Sequence, residues 1–98
     1  MDTEKEKETR EFYERLKKEL DLSTAWPSLY LFKFIVPTDT ETIRRVQDAF
    51  DCLGAVIKTT KSKTGKFTSV SVDVMMKDSQ EVIDKYIELS TIEGIISL

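Results

Sequence analysis

Lys58, Lys61, Lys63 and Lys66 fall within nine residues of one another. Such a cluster can steer a phosphate or an acidic partner to one edge of a molecule. Lysines on an edge strand also have a plainer role, keeping sheets from pairing with each other. Subtracting these four from the overall charge of -3 leaves -7 on the rest of the chain. Thr64-Gly65-Lys66 fails the phosphate-loop pattern: Thr60 stands where glycine is required, Phe67 replaces the final Ser or Thr, and a strand follows instead of a helix. Lys33 and Asp73 are opposite charges that strand alternation sends to one face. They could do acid–base work, but a structural cross-strand ion pair is the simpler role. Cys52 reads as a small packing residue near a helix end. The carboxylates of Asp39, Asp48, Asp51 and Asp78 fall at caps or on helix surfaces. The chain has no histidine, the side chain best suited to proton transfer near neutral pH and the commonest metal ligand. Triads built on histidine and Cys/His zinc sites are thereby excluded. No enzyme activity, cofactor or metal is expected.

With 98 residues, the chain has room for one core. Its 40% apolar and 34% charged residues are the balance of a soluble globular chain, and no apolar run approaches the roughly 20 residues of a membrane span. The start, Met1-Asp2-Thr3-Glu4-Lys5-Glu6, lacks the basic and apolar regions of a secretory signal. The single cysteine forms no intramolecular disulfide. Together these point to a cytoplasmic protein. A sequence pI near 5.0 disfavours nucleic acid as a partner.

The elements that position these residues are read from periodicity. Phe12, Leu16 and Leu20, with Tyr13 beside them, form a narrow stripe on a charge-dense helix. That helix is expected to fray at its start and to dock weakly, with Glu11–Arg15 and Glu14–Lys18 as i,i+4 pairs. Trp26-Pro27 ends that region, and Trp26 reads as an anchor at the sheet's edge. Residues 29–36 are aromatic and β-branched, the pattern of a central strand. Thr38 with Glu41 predicts a capping box, and Ile43, Val46, Phe50 and Leu53 predict the inner face of a helix stopped by Gly54. Residues 55–61 predict a second strand, and Ser62-Lys63-Thr64-Gly65 a hairpin turn. The third strand alternates, with Val70, Val72, Val74 and Met76 on one side and Phe67, Ser69, Ser71, Asp73 and Met75 on the other. Asp78 with Glu81 opens a last helix, with Val82, Ile83, Tyr86, Ile87 and Leu89 facing inwards, and residues 95–98 close the chain as a short strand.

Strand, helix, strand, strand, helix, strand is the order of an α+β ferredoxin-like βαββαβ plait. It predicts a four-stranded antiparallel sheet of order 4-1-3-2, with two helices on one face and an N-terminal helix in front. Residues 1–25 are the charged helical extension and 26–98 the plait.

Trp26-Pro27 ahead of the first strand and the block Ser62-Lys63-Thr64-Gly65-Lys66-Phe67-Thr68-Ser69-Val70-Ser71-Val72 resemble the YbeD-like family of small uncharacterised bacterial proteins, over roughly Phe12 to Leu98. The resemblance implies the same plait, a likeness to regulatory ACT-type domains that bind small ligands or pair with a second copy, and no enzyme activity. The longer charged helix before Trp26 departs from the shorter relatives.

On the open side of such a plait, opposite its helices, the alternation leaves Leu29, Leu31, Lys33, Ile35, Phe67, Asp73 and Met75. That patch is too apolar to stand bare in water. The N-terminal stripe, a second copy or a partner protein is expected to cover it, and a small-molecule effector is also open. RNA-binding plaits stack bases on aromatics of the central strands, whereas here only Phe67, at the rim, would offer such a platform. The sequence thus reads as a regulatory or interaction module using this face, with a nucleic-acid or phosphate-ligand binder using the lysine hairpin as the alternative.

Overall fold

Strict alternation builds the central pair of strands. In β1 (Ser28–Pro37), Phe32, Phe34 and Val36 are buried while Leu29, Leu31 and Lys33 are exposed, and in β3 (Phe67–Met76) Val70, Val72, Val74 and Met76 are buried on the same side. A strand sends successive side chains to opposite faces, so this pattern fixes the register. Phe32 lies opposite Val72 and Phe34 opposite Val70.

The computed structural model describes residues 4–98; Met1, Asp2 and Thr3 of the charged start lie outside the described residues. Around the central pair the chain runs α1 (Glu4–Ser23), β1, α2 (Thr40–Ala49), β2 (Val56–Lys61), β3, α3 (Ser79–Leu89) and β4 (Ile96–Ser97). The antiparallel sheet has the order β2-β3-β1-β4, which is 4-1-3-2 read from the other edge. Helices α2 and α3 cover the valine-rich face, and α1 packs against α3.

Phe32 is the hub of the core, with no exposed surface. Its ring centroid lies 4.8 Å from that of Tyr30, 5.1 Å from Phe50 and 5.1 Å from Tyr86. The Tyr30 and Tyr86 hydroxyls share a 2.9 Å hydrogen bond. Burial first, and then that bond and repulsion from Tyr30 and Tyr13, push the Tyr86 hydroxyl above the ordinary phenol range. A group whose pKa is raised on folding stabilises the native state fully below its unfolded value and loses that contribution as pH rises. Stability is therefore expected to hold up to about pH 10, where an unfolded tyrosine ionises, and to fall above it. Urea melts across that range should show a shallower decline for Tyr86→Phe.

Several local expectations are corrected. The cap of α2 is Asp39, not Thr38: the Asp39 carboxylate accepts from the Thr42 hydroxyl at 2.7 Å and the Thr42 N–H at 3.0 Å. These bonds, the hydroxyl's first, hold the carboxyl below the usual range. Thr38 is still in line with β1; its N–H donates to the Lys66 carbonyl, and its hydroxyl pairs with buried Thr68 at 2.8 Å. Helix α2 also stops earlier than the apolar spacing suggests, with Phe50 as its C-cap. The chain then turns through Cys52 at φ 63° and Gly54 at φ 70°, which leaves Leu53 and Cys52 exposed rather than packed. Ile87 is exposed as well, because it sits off the Val82–Tyr86–Leu89 stripe. Helix α1 is continuous from Glu4, and neither Glu11–Arg15 nor Glu14–Lys18 closes to an ion pair. Tyr13 and Leu16 pack against the core, which Leu20 enters. Trp26 packs there too.

Asp78 caps α3 as the sequence predicts, accepting from the Glu81 N–H at 2.9 Å. Asp78→Ala is expected to cost about 1 kcal/mol, readable as a lower urea midpoint with an unchanged slope. Gly94 leads into β4 at φ 80°, and a Cβ there would lie 2.9 Å from Pro37 Cγ. Only glycine combines that backbone angle with so close an approach.

Candidate functional site: the open face of the sheet

The face turned away from α2 and α3 carries every side chain that alternation assigned to it. Leu29, Leu31, Val56, Met75 and Ile96 are each more than half exposed, and Phe67 nearly so. The register arranges them in cross-strand rows. Leu29 lies beside Met75, Asp73 stands between Leu31 and Val56, Ser71 between Lys33 and Lys58, Ile35 between Ile96 and Ser69, and Phe67 beside Pro37 at the rim. The result is an apolar surface with short serines along its middle and few charges.

Helix α1 does not cover this surface. Its Tyr13 and Leu16 turn towards α3 and the helix-side core, and together with Phe12 they line a cavity of about 270 Å³ against Tyr30 and Tyr86. Tyr30 belongs to the buried-side register of β1, so α1 lies across the sheet from Leu29 and Leu31. Phe12 itself is 55% exposed. Of the covers open to the sequence, the chain's own N-terminal stripe is thereby removed.

The charges are placed less simply than their sequence positions suggest. Lys33 is opposite Ser71 and Asp73 opposite Leu31, so the two are diagonal neighbours, and they form no ion pair. Residues three apart on a strand point to opposite faces, which puts Lys58 on the open face and Lys61 on the helix side, with Lys63 and Lys66 in the turn. The four lysines thus share a hairpin but not a face. The turn itself is held by Gly65 N–H to the Ser62 carbonyl at 3.0 Å and Ser62 N–H to the Phe67 carbonyl at 2.8 Å.

The family model for a protein of unknown function, DUF493, matches residues 21–98. The chain belongs to the DUF493 family. The YbeD-like proteins that its hairpin block resembles are this family. The solution structure of protein HP0495 from H. pylori is similar to this chain, with a TM-score of 0.62 and 20% sequence identity over 78% of this chain and 86% of that one. That likeness bears on the fold. A comparison with curated proteins gave no match.

In this DUF493 chain, two features of the surface were not read from the sequence. The first is the row Lys33–Ser71–Lys58, two ammonium groups flanking one short side chain. It needs the β2–β3 register, which the hairpin Gly65 could have supplied. The second is a cleft of about 500 Å³ between α1 and α3, lined by Tyr13, Ile83 and Ile87 and by charged side chains of both signs, Lys5, Glu14 and Lys17 among them. Nothing in the helix periodicity signals it, because it depends on how two helices pack together. No helix among the described residues is long and apolar enough to cross a membrane.

Proposed function

We propose that this DUF493 chain is a non-catalytic interaction module, and that the open face of its sheet is the surface by which it binds a protein. The observation that carries this is the uncovered apolar face: Leu29, Leu31, Val56, Met75 and Ile96 stand exposed together while α1 lies on the opposite side of the sheet. Contiguous apolar surface of that kind marks interaction sites in soluble domains. Burial of its larger side chains contributes about 1.5 kcal/mol or more apiece, enough for a few of them to hold a partner. A regulatory role of the ACT type, in which binding at one surface reports on another, fits the same plait. The lysine hairpin is the weaker basis for a function, since the alternation of β2 splits its charges between two faces.

Met75 and Met76 offer an internal comparison, adjacent in sequence but on opposite faces, the first more than half exposed and the second fully buried. Methionine oxidation follows exposure. With the full chain dilute and pure, peroxide should convert Met75 and spare Met76. At the same low concentration in a lysate of its own cells, or pure at about 1 mM, Met75 should be protected together with Leu31 and Phe67 in a radical footprint, while Phe12 and Ile87 stay reactive. Unchanged Met75 reactivity under both conditions would overturn the proposal.

A further inference from the structure

We infer that the occupant of the open face is a second copy of the same chain, docked sheet to sheet about a two-fold axis, with Lys33 of each copy clamping Asp73 of the other. This rests on the proposal that the face is a binding surface, and names the partner. The first support is charge. Asp73 stands between Leu31 and Val56, and Lys33 one row away beside Ser71, with no ion pair between them. Any protein that buries this face takes Lys33, Asp73 and the neighbouring Lys58 out of water, and a buried charge without a counterpart costs several kcal/mol. A partner that presents a carboxylate over Lys33 and a cation over Asp73, within an apolar surround, offsets that cost. A second copy does so by symmetry alone.

The geometry follows from the register. Diagonal neighbours on adjacent antiparallel strands lie about 7–8 Å apart. An axis parallel to the sheet, crossing the midpoint of the Lys33–Asp73 diagonal at right angles to it, turns each lysine over the other copy's aspartate, which is the isologous arrangement expected of a two-fold dimer. Lys58 lies across Ser71 from Lys33, so its long stem can close on the same carboxylate from the other side. The short side chains of Ser69 and Ser71 leave room at the centre for two sheets to approach to the usual spacing of about 10 Å.

Size sets the strength. Three strands about 4.8 Å apart over six or so residues of about 3.3 Å each, with the short β4 at one edge, present roughly 300–400 Å² per copy. The total of roughly 600–800 Å² lies below the size of a stable interface, in the range of weak, transient association. A reversible dimer with a dissociation constant on the order of 10 μM is the expected result.

Sedimentation velocity of the full chain over a wide concentration range, with a charge-swap cycle, tests this. Wild type should pass from monomer to dimer. Lys33→Asp and Asp73→Lys should each weaken association about tenfold or more, and the double variant should recover to within a few-fold of wild type. Circular dichroism of each variant confirms that the fold is kept. A wild-type chain that stays monomeric at about 1 mM would overturn the inference. If Met75 is nonetheless protected in the lysate, the face is a binding surface for a different protein, and only the identity of the partner fails. A double variant no better than either single variant would also overturn the pairing of Lys33 with Asp73.

Discussion

Phe32→Ala is expected to remove about 4 kcal/mol of stability, a large share of the 5–15 kcal/mol that holds a domain of this size. The phenylalanine has no exposed surface and touches the rings of Tyr30, Phe34, Phe50 and Tyr86. Truncation leaves a cavity bounded by β1, α2 and α3 at once, and a site shared by three elements cannot collapse by moving one of them. At about 4–8 °C per kcal/mol, the thermal midpoint should fall by about 20 °C or more. Phe67→Ala is the control. That ring lies on the open face at the rim of the sheet, so the loss should stay below about 1 kcal/mol. Urea melts followed by far-ultraviolet dichroism separate the two.

Leu31→Lys should do the reverse, leaving the fold intact and abolishing self-association. Leu31 is 56% exposed and lies directly opposite Asp73. A lysine there gains a cross-strand carboxylate within its own chain, so stability should be unchanged or slightly raised. The dimer loses on two counts. Each copy forfeits the burial of a leucine, about 1.5 kcal/mol apiece or about 3 kcal/mol for the pair, which corresponds to about a hundredfold in the dissociation constant. Asp73 is also engaged at home and no longer free for Lys33 of the second copy. Sedimentation equilibrium of the variant beside wild type reads both terms together.

How much of this was legible beforehand follows from the physics of each signal. The alternation of Val70, Val72 and Val74, and the aromatic run of β1, are period-two patterns backed by burial on one face, so the plait and the members of its open face could be read directly. The caps of α2 and the end of that helix could not. Thr38 and Asp39 are adjacent and both able to cap, and only tertiary contact decides: the Lys66 carbonyl and Thr68 claim Thr38 for the sheet. Leu53 keeps helical spacing with Phe50 yet falls after a turn through Cys52 in the left-handed region, a break that apolar periodicity does not encode. The whereabouts of α1 was open for a similar reason. A stripe of Phe12, Leu16 and Leu20 fits either side of a sheet, and the side it takes is set by the space beside α3. That placement changes the functional reading most, because it leaves the open face to another molecule.

The most direct measurement is an isotope-filtered nuclear Overhauser experiment on a mixture of labelled and unlabelled chain at a concentration well above about 10 μM. Contacts between copies should link the methyl groups of Leu29, Leu31, Met75 and Ile96, with none from Phe12 or Ile87. An absence of contacts between copies, or contacts arising from α1 while the open-face methyls remain solvent-accessible, would contradict a dimer built on the face of the sheet.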